Sequence, residues 1–278
     1  MSDELLRAYI KSLLTESPKS DAYENSVARS VNTFKAAGIS ATRPPADTSL
    51  PDVLVSVEGL GEAFIEVKMN HTDNLANPRV FYDGSKWATT YATPVAKYAV
   101  KLLNESDQAT AFIRDLRKFL GRTPKQPLTL PTTKSGLLEA SACPLKKMVK
   151  FATIRGDRYI VREEDVNIGR LATLHYTVGK SVPANYLQAA DDFYLIGGDD
   201  PLGLAAVNDA PIPTLSGIGD FKVRVATRSE FYEIQAEVKI KKFNPSFSPY
   251  SVAKGSKKIN PFTALADSLS GKKKKKSR

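Results

Sequence analysis

Apolar residues recur at helical spacing in two stretches near the start of the chain. Leu5, Leu6, Tyr9, Ile10, Leu13 and Leu14 predict an amphipathic helix over residues 3–15, ended by Ser17-Pro18. Tyr23, Val27, Val31 and Phe34 predict a second helix over 21–37, capped by Ser20-Asp21 and closed at Gly38. The period then changes. Val53, Val55 and Val57 alternate with Leu54 and Ser56 after Pro51-Asp52, and Phe64, Ile65 and Val67 lie in a run over 63–69. Two strands are therefore predicted about the turn Glu58-Gly59-Leu60-Gly61. A polar loop over 70–84 leads to a helix over 85–103, interrupted near Pro94, and to a strong helix over 107–120 with Ala109, Phe112, Ile113, Leu116 and Phe119 on its apolar face.

The second half is less regular. Residues 122–136, rich in Pro, Thr and Lys, read as a linker or long loop. Residues 147–154 and 158–162 alternate about Gly156-Asp157 and predict a hairpin. Residues 164–178 fit helix or strand, and 193–196, 221–226 and 230–240 predict strands. Residues 243–278 are polar and end in polylysine, which predicts a flexible basic tail with one short helix about Phe262, Leu265 and Leu269. The fold class expected is mixed α/β.

Charge sharpens this picture. The 278 residues carry 40 Lys+Arg against 30 Asp+Glu, a formal net charge of +10, which suggests a polyanionic partner, nucleic acid before membrane. The surplus is uneven: −1 over 1–120, +7 over 121–162, −7 over 163–220, +5 over 221–270 and +6 in the last eight residues. A hydrophobic fraction of 42% is that of a globular chain with a buried core, not a wholly disordered one. The single cysteine, Cys143, excludes an intramolecular disulfide and any multi-cysteine zinc site. No run of about 18 apolar residues occurs, and charges interrupt the first fourteen residues, so the expectation is a soluble intracellular protein without a signal peptide.

One constellation carries chemistry. Asp52 opens the first predicted strand, and Glu66-Val67-Lys68 lies on the next, across a glycine turn. In a strand, residues i and i+2 face the same way, so Glu66 and Lys68 project together and a hairpin brings Asp52 beside them. Two carboxylates suit Mg²⁺, with the Val67 main-chain carbonyl as a further ligand, and Mn²⁺ is an alternative ion. Lys68 suits the positioning of an attacking water and the stabilisation of developing charge. The bland alternative is an exposed sheet face with a cross-strand ion pair. Glu237-Val238-Lys239 repeats the pattern, with Asp220 upstream, but lacks the Pro-Asp start and reads as a solvated strand face.

Pro51-Asp52 … Glu66-Val67-Lys68 resembles the signature of the PD-(D/E)XK nuclease superfamily, and the likeness covers about 100 residues. The resemblance implies a restriction-endonuclease-like core, a central mixed sheet flanked by helices. It also implies divalent-metal-dependent hydrolysis of DNA phosphodiesters, with Asp52, Glu66 and Lys68 as catalytic residues. Many members carry a further glutamate on the preceding helix, where Glu24 lies. The domain organisation expected is a nuclease core over 1–121, a basic β-rich region over 137–242 that completes the core or binds DNA, and the tail 243–278. Arg155, Arg158, Arg162, Lys146, Lys147, Lys150, Arg224, Lys241 and Lys242 are the candidate DNA contacts. A homodimer would supply the two centres that a double-strand cut needs. The competing function is a non-catalytic nucleic-acid-binding protein associated with a nucleoid or virion.

Overall fold

The computed structural model describes residues 18–45, 50–130, 143–227 and 231–276. The helix expected over 3–15 lies outside them. The fold is mixed α/β, with two five-stranded sheets. The chain divides into two compact units, each discontinuous in sequence: 1–73, 176–217 and 243–278 form the first, and 74–175 with 218–242 the second. These boundaries do not follow the sequence-derived ones at 121, 137 and 242, because the chain leaves the first unit and returns to it twice.

The first unit opens with helix α1 (Pro18–Val31), prolonged by a 3-10 segment (Asn32–Ala37) that Gly38 closes at φ 87°. Two strands fall where the alternation places them, β2 (Val53–Val57) and β3 (Gly61–Lys68), and two were not expected, β1 (Ile39–Thr42) and, far along the chain, β7 (Tyr186–Ala189). With β8 (Asp192–Leu195) they form a sheet in the order β1-β2-β3-β7-β8, antiparallel except where β7 runs parallel to β3. Val53 pairs with Ile65 and Val55 with Ala63, so the alternating apolar residues share one face. That face packs on Val27 and Val31 of α1 and on Phe262 and Leu265 of the last helix, Phe262–Lys276. Residues 243–270 are thus not a mobile tail. Tyr250, Val252, Phe262 and Leu265 are buried in this core, and the buried Gln188 of β7 binds Ser251 Oγ and the Val252 amide.

The second unit holds β4 (Arg79–Tyr82), β5 (Trp87–Ala88), helices α2 (Pro94–Glu105), α3 (Asp107–Phe119) and α4 (Leu145–Arg155), then β6 (Tyr159–Val166), β9 (Gly217–Thr227) and β10 (Tyr232–Phe243). Its sheet order is β5-β4-β10-β9-β6. Between β6 and β7 runs α5 (Ile168–Val178), and between β8 and β9 the short α6 (Leu204–Val207), which makes Phe262–Lys276 helix α7. Two expectations are corrected here. Pro94 starts α2 instead of interrupting a helix: it sits in the first turn, where its missing N–H costs nothing, behind the cap Thr93. Residues 147–154 belong to α4, not to a hairpin, because Met148, Phe151 and Ala152 bury one helical stripe and Gly156 is the left-handed C-cap.

Gly219, buried in β9, gives this sheet a sharp test. A Cβ there would lie 1.9 Å from the Lys239 carbonyl oxygen and 2.8 Å from Ile240 Cα, both backbone atoms. Gly219→Ala is expected to cost about 2 kcal/mol or more by forcing β9 from β10, read as a lower melting temperature. An unchanged melting temperature would show that the strands do not approach so closely.

Candidate active site

Register assembles the site. Val53 faces Ile65, so continuing the antiparallel pairing by one residue sets Asp52 opposite Glu66, on the face away from α1. The Val67 amide donates to Asp52 Oδ2 at 2.7 Å, which fixes the carboxylate beside β3. Lys68 Nζ donates to Glu66 Oε1 at 2.8 Å, as the shared strand face predicts. The Glu66 side chain is 3% exposed, whereas that of Lys68 keeps 20% of its surface. Glu66 is therefore the floor of the site and Lys68 its rim.

Sequence reasoning missed Lys180. It follows α5, and its Nζ lies 3.3 Å from Glu66 Oε2 and donates to the Leu50 carbonyl at 3.1 Å. The Lys180 side chain is only 9% exposed. Nothing local marks it, since it reaches Glu66 through the parallel β3–β7 pairing. Tyr176, wholly buried, completes the surroundings.

The charges are strongly coupled. Burial opposes ionisation of Glu66, but Lys68 and then Lys180 outweigh it and hold the carboxyl below its usual range. Burial likewise opposes a charged Lys68, yet Glu66, with Tyr176 and Asp52, holds that ammonium well above the ordinary lysine value. Asp52 is left over. Burial, then repulsion from Glu66, pushes its carboxyl up to about 7, against the pull of Lys68, the Val67 amide and Lys180. Between the ordinary carboxylate range and about pH 7 the folded chain retains a proton that the unfolded chain has lost, so stability falls as the pH rises through that window. Asp52→Asn cannot ionise. In EDTA at pH 8 it is expected to melt a few degrees above the parent, at roughly 2–4 °C per kcal/mol, and to lose this slope. A lower melting temperature at pH 8 would contradict the excess-charge account.

This donor set fits a small hard cation. Glu66 Oε2 is buried and faces Lys180 Nζ at 3.3 Å without closing into a hydrogen bond, and Asp52 keeps a second carboxylate oxygen beside the one that the Val67 amide holds. Mg²⁺ commonly takes one or two carboxylates and completes its shell with water and phosphate oxygens. Among the described residues no group of three His, Cys, Asp or Glu is placed to hold a metal. Glu24 lies apart from the Asp52–Glu66 pair. Its carboxylate pairs with Arg43 Nε at 2.6 Å and accepts from Ser20 Oγ, on a helix that packs against the opposite face of the sheet.

A second polar cluster lies on the active face of the same sheet. Lys68 pairs with Ala189 and Ala189 with Asp192, so the three stand in one row across it. The buried Asp192 carboxylate pairs with His71 Nε2 at 2.8 Å and with Lys258 Nζ at 2.6 Å, and accepts from the Ser248 amide. His71, three residues beyond Lys68, lies beside this carboxylate with its ring edge-to-face on Phe243.

The other candidates fall in the second unit. Glu237, expected on a solvated face, is buried and held by Arg224 at 2.8 Å and Asn74 at 3.1 Å, a neutralised pair. Among the proposed DNA contacts, Arg162 pairs with Glu164, and Lys241 with Asp220. Arg155 lies over the Phe112 ring. Lys146, Lys147 and Lys150 are exposed along α4, as are Arg158 and Lys242. The charge divides by unit: the second carries 23 Lys+Arg against 13 Asp+Glu, the first 17 against 17. The whole +10 surplus therefore belongs to the second unit.

Compared with family models, with curated proteins and with solved structures, the chain matches none.

Proposed function

We propose that the protein is a divalent-metal-dependent DNA endonuclease of the PD-(D/E)XK type that its motif resembles. The observation that carries this reading is the meeting of Asp52 and Glu66 on one sheet face beside Lys68, with a buried Glu66 oxygen that makes no hydrogen bond. The two carboxylates face two ammonium groups, Lys68 and Lys180, yet burial and Glu66 repulsion still push the Asp52 carboxyl up to about 7, so a further positive charge beside it favours its ionised form.

Asp52, Glu66 and the Val67 carbonyl would hold Mg²⁺ or Mn²⁺. Such an ion supplies a bound water of lowered pKa and positive charge toward the scissile phosphate. Lys68, kept protonated by Glu66, orients the attacking water and stabilises the developing charge; it does not act as the general base. Lys180 positions Glu66 from beneath. The second unit, with its net +10, supplies attraction to the phosphate backbone. Two such centres in a homodimer would cut both strands. No helix among the described residues is long and apolar enough to cross a membrane.

The test is incubation of the full chain with supercoiled plasmid, mixed-sequence linear duplex and single-stranded DNA, in Mg²⁺ or Mn²⁺ and in EDTA. Nicking or cutting that needs the metal is expected. DNA that is bound but left intact in every form and metal would favour the non-catalytic binding protein.

A further inference from the structure

The second unit contains a cavity of about 530 Å³ that the catalytic reading does not use. That volume lies within the span of small-molecule sites. Tyr82 and Trp87 line its base, only 8% and 3% exposed and packed edge-to-face at 5.3 Å between centroids, and Ile113 of α3 adds an apolar wall. The Asn104 side chain holds the Trp87 backbone at both its amide and its carbonyl, so the aromatic floor is fixed before any ligand enters.

The rim is cationic. Arg114, Arg117 and Lys118 project at i, i+3 and i+4 along α3, and Arg122 follows just beyond the helix end; among the described residues no carboxylate lines the cavity. A helix C-terminus attracts cations without any ligand, and Arg114 is exposed and paired with Asp115. Arg117 is different. Its Nε is buried with no hydrogen-bond partner, its Nη2 reaches the Gly84 carbonyl at 3.4 Å, and its guanidinium lies 6.0 Å from the Tyr82 ring centroid. A fixed aromatic floor beneath an undersatisfied guanidinium and two further cations suits a planar ring that carries a phosphate.

We propose that this cavity binds a nucleotide, the base lying against Trp87 and Tyr82 and the phosphate meeting Arg117, Lys118 and Arg122. The occupant is either a free nucleotide or a nucleotide at the end of, or turned out from, a strand. Base–aromatic contact and charged hydrogen bonds to phosphate are the two recognition terms. This site does not depend on Asp52, Glu66 or Lys68.

Trp87 is the single tryptophan of the chain, so its fluorescence reports this cavity directly. The full-length chain, carrying Asp52→Asn and kept in EDTA, is titrated with deoxynucleoside monophosphates, the corresponding nucleosides, inorganic phosphate and short oligonucleotides with and without a 5′-phosphate. Saturable quenching by a nucleotide form is expected, weakened at least about tenfold when the phosphate is removed and again in Arg117→Gln or Lys118→Gln. Quenching by monophosphates identifies a free-nucleotide site, and quenching by oligonucleotides alone identifies a strand site. No quenching by any form, equal quenching by nucleosides, equal effect of inorganic phosphate, or unchanged affinity in both variants with unchanged melting temperatures would overturn the proposal. Because cleavage is silenced throughout, failure here is distinct from failure of the nuclease reading.

Discussion

Lys68→Ala is expected to lower Mg²⁺-dependent cleavage at least about a hundredfold while DNA binding stays within a few-fold of the parent. The magnitude is that of removing one preorganised charge-stabilising donor from an active site. The asymmetry follows from location. Lys68 sits at the exposed rim of the Asp52–Glu66 pair, whereas the excess positive charge, which the proposed function assigns to DNA binding, belongs to the other unit. Stability should fall less than in Glu66→Ala, because Lys180 still faces the buried Glu66 carboxylate. Rates and filter-binding affinities of the two proteins, measured on one substrate, check both halves. Equal loss of binding and cleavage would make Lys68 a DNA contact instead.

Glu66→Ala should have the largest effect on folding. Glu66 lies between Lys68 at 2.8 Å and Lys180 at 3.3 Å, and its removal takes the ion-pair carboxylate from the 9%-exposed Lys180 ammonium. Breaking a buried pair by deleting one partner costs about 3–5 kcal/mol. The lower end is expected, because Asp52, relieved of Glu66 repulsion, ionises and takes over part of the compensation. Denaturant unfolding at neutral pH in EDTA measures this cost. Glu66→Ala with Lys180→Met should recover part of it, since that ammonium goes too, without restoring cleavage. A Glu66→Ala protein as stable as the parent would mean that Lys180 finds water and that the floor of the site is wet.

The hairpin that joins Asp52 to Glu66-Val67-Lys68 was legible because every term is local. Valine alternation sets the faces, the glycine turn sets the register, and the i, i+2 rule places Lys68. Lys180 and Asp192 were not legible, since they arrive through the parallel strand β7 and its partner β8, a long-range pairing without a local mark. The four-residue strand β1 was missed for its brevity, Ile39 and Ala41 being its only buried positions. α4 was misread because Lys147 to Ile154 alternates about as well as it repeats at helical spacing, and a glycine closes a helix or turns a hairpin equally well. Charge misled in a similar way. Sums over consecutive segments gave a basic tail and two basic blocks, but both units are discontinuous, and only their regrouping puts the whole surplus in one of them. The acidic stretch 163–220 is now largely accounted for. Asp192 pairs with Lys258 and lies beside His71, Asp200 accepts from the Leu204 and Ala205 amides and from Tyr186, and Asp220 pairs with Lys222 and Lys241.

The central claim is that Asp52 acts as a carboxylate in metal-dependent phosphodiester cleavage. Asp52→Asn tests it most directly, because the variant keeps the shape and the Val67 hydrogen bond while losing the charge. The measurement is the initial rate of DNA cleavage in Mg²⁺ by parent and Asp52→Asn, purified in parallel and matched for DNA occupancy. The predicted result is a variant that folds at least as stably, binds DNA as well, and cleaves at least about a hundredfold more slowly. Cleavage at the parental rate, or none by the parent on any DNA form, would contradict it.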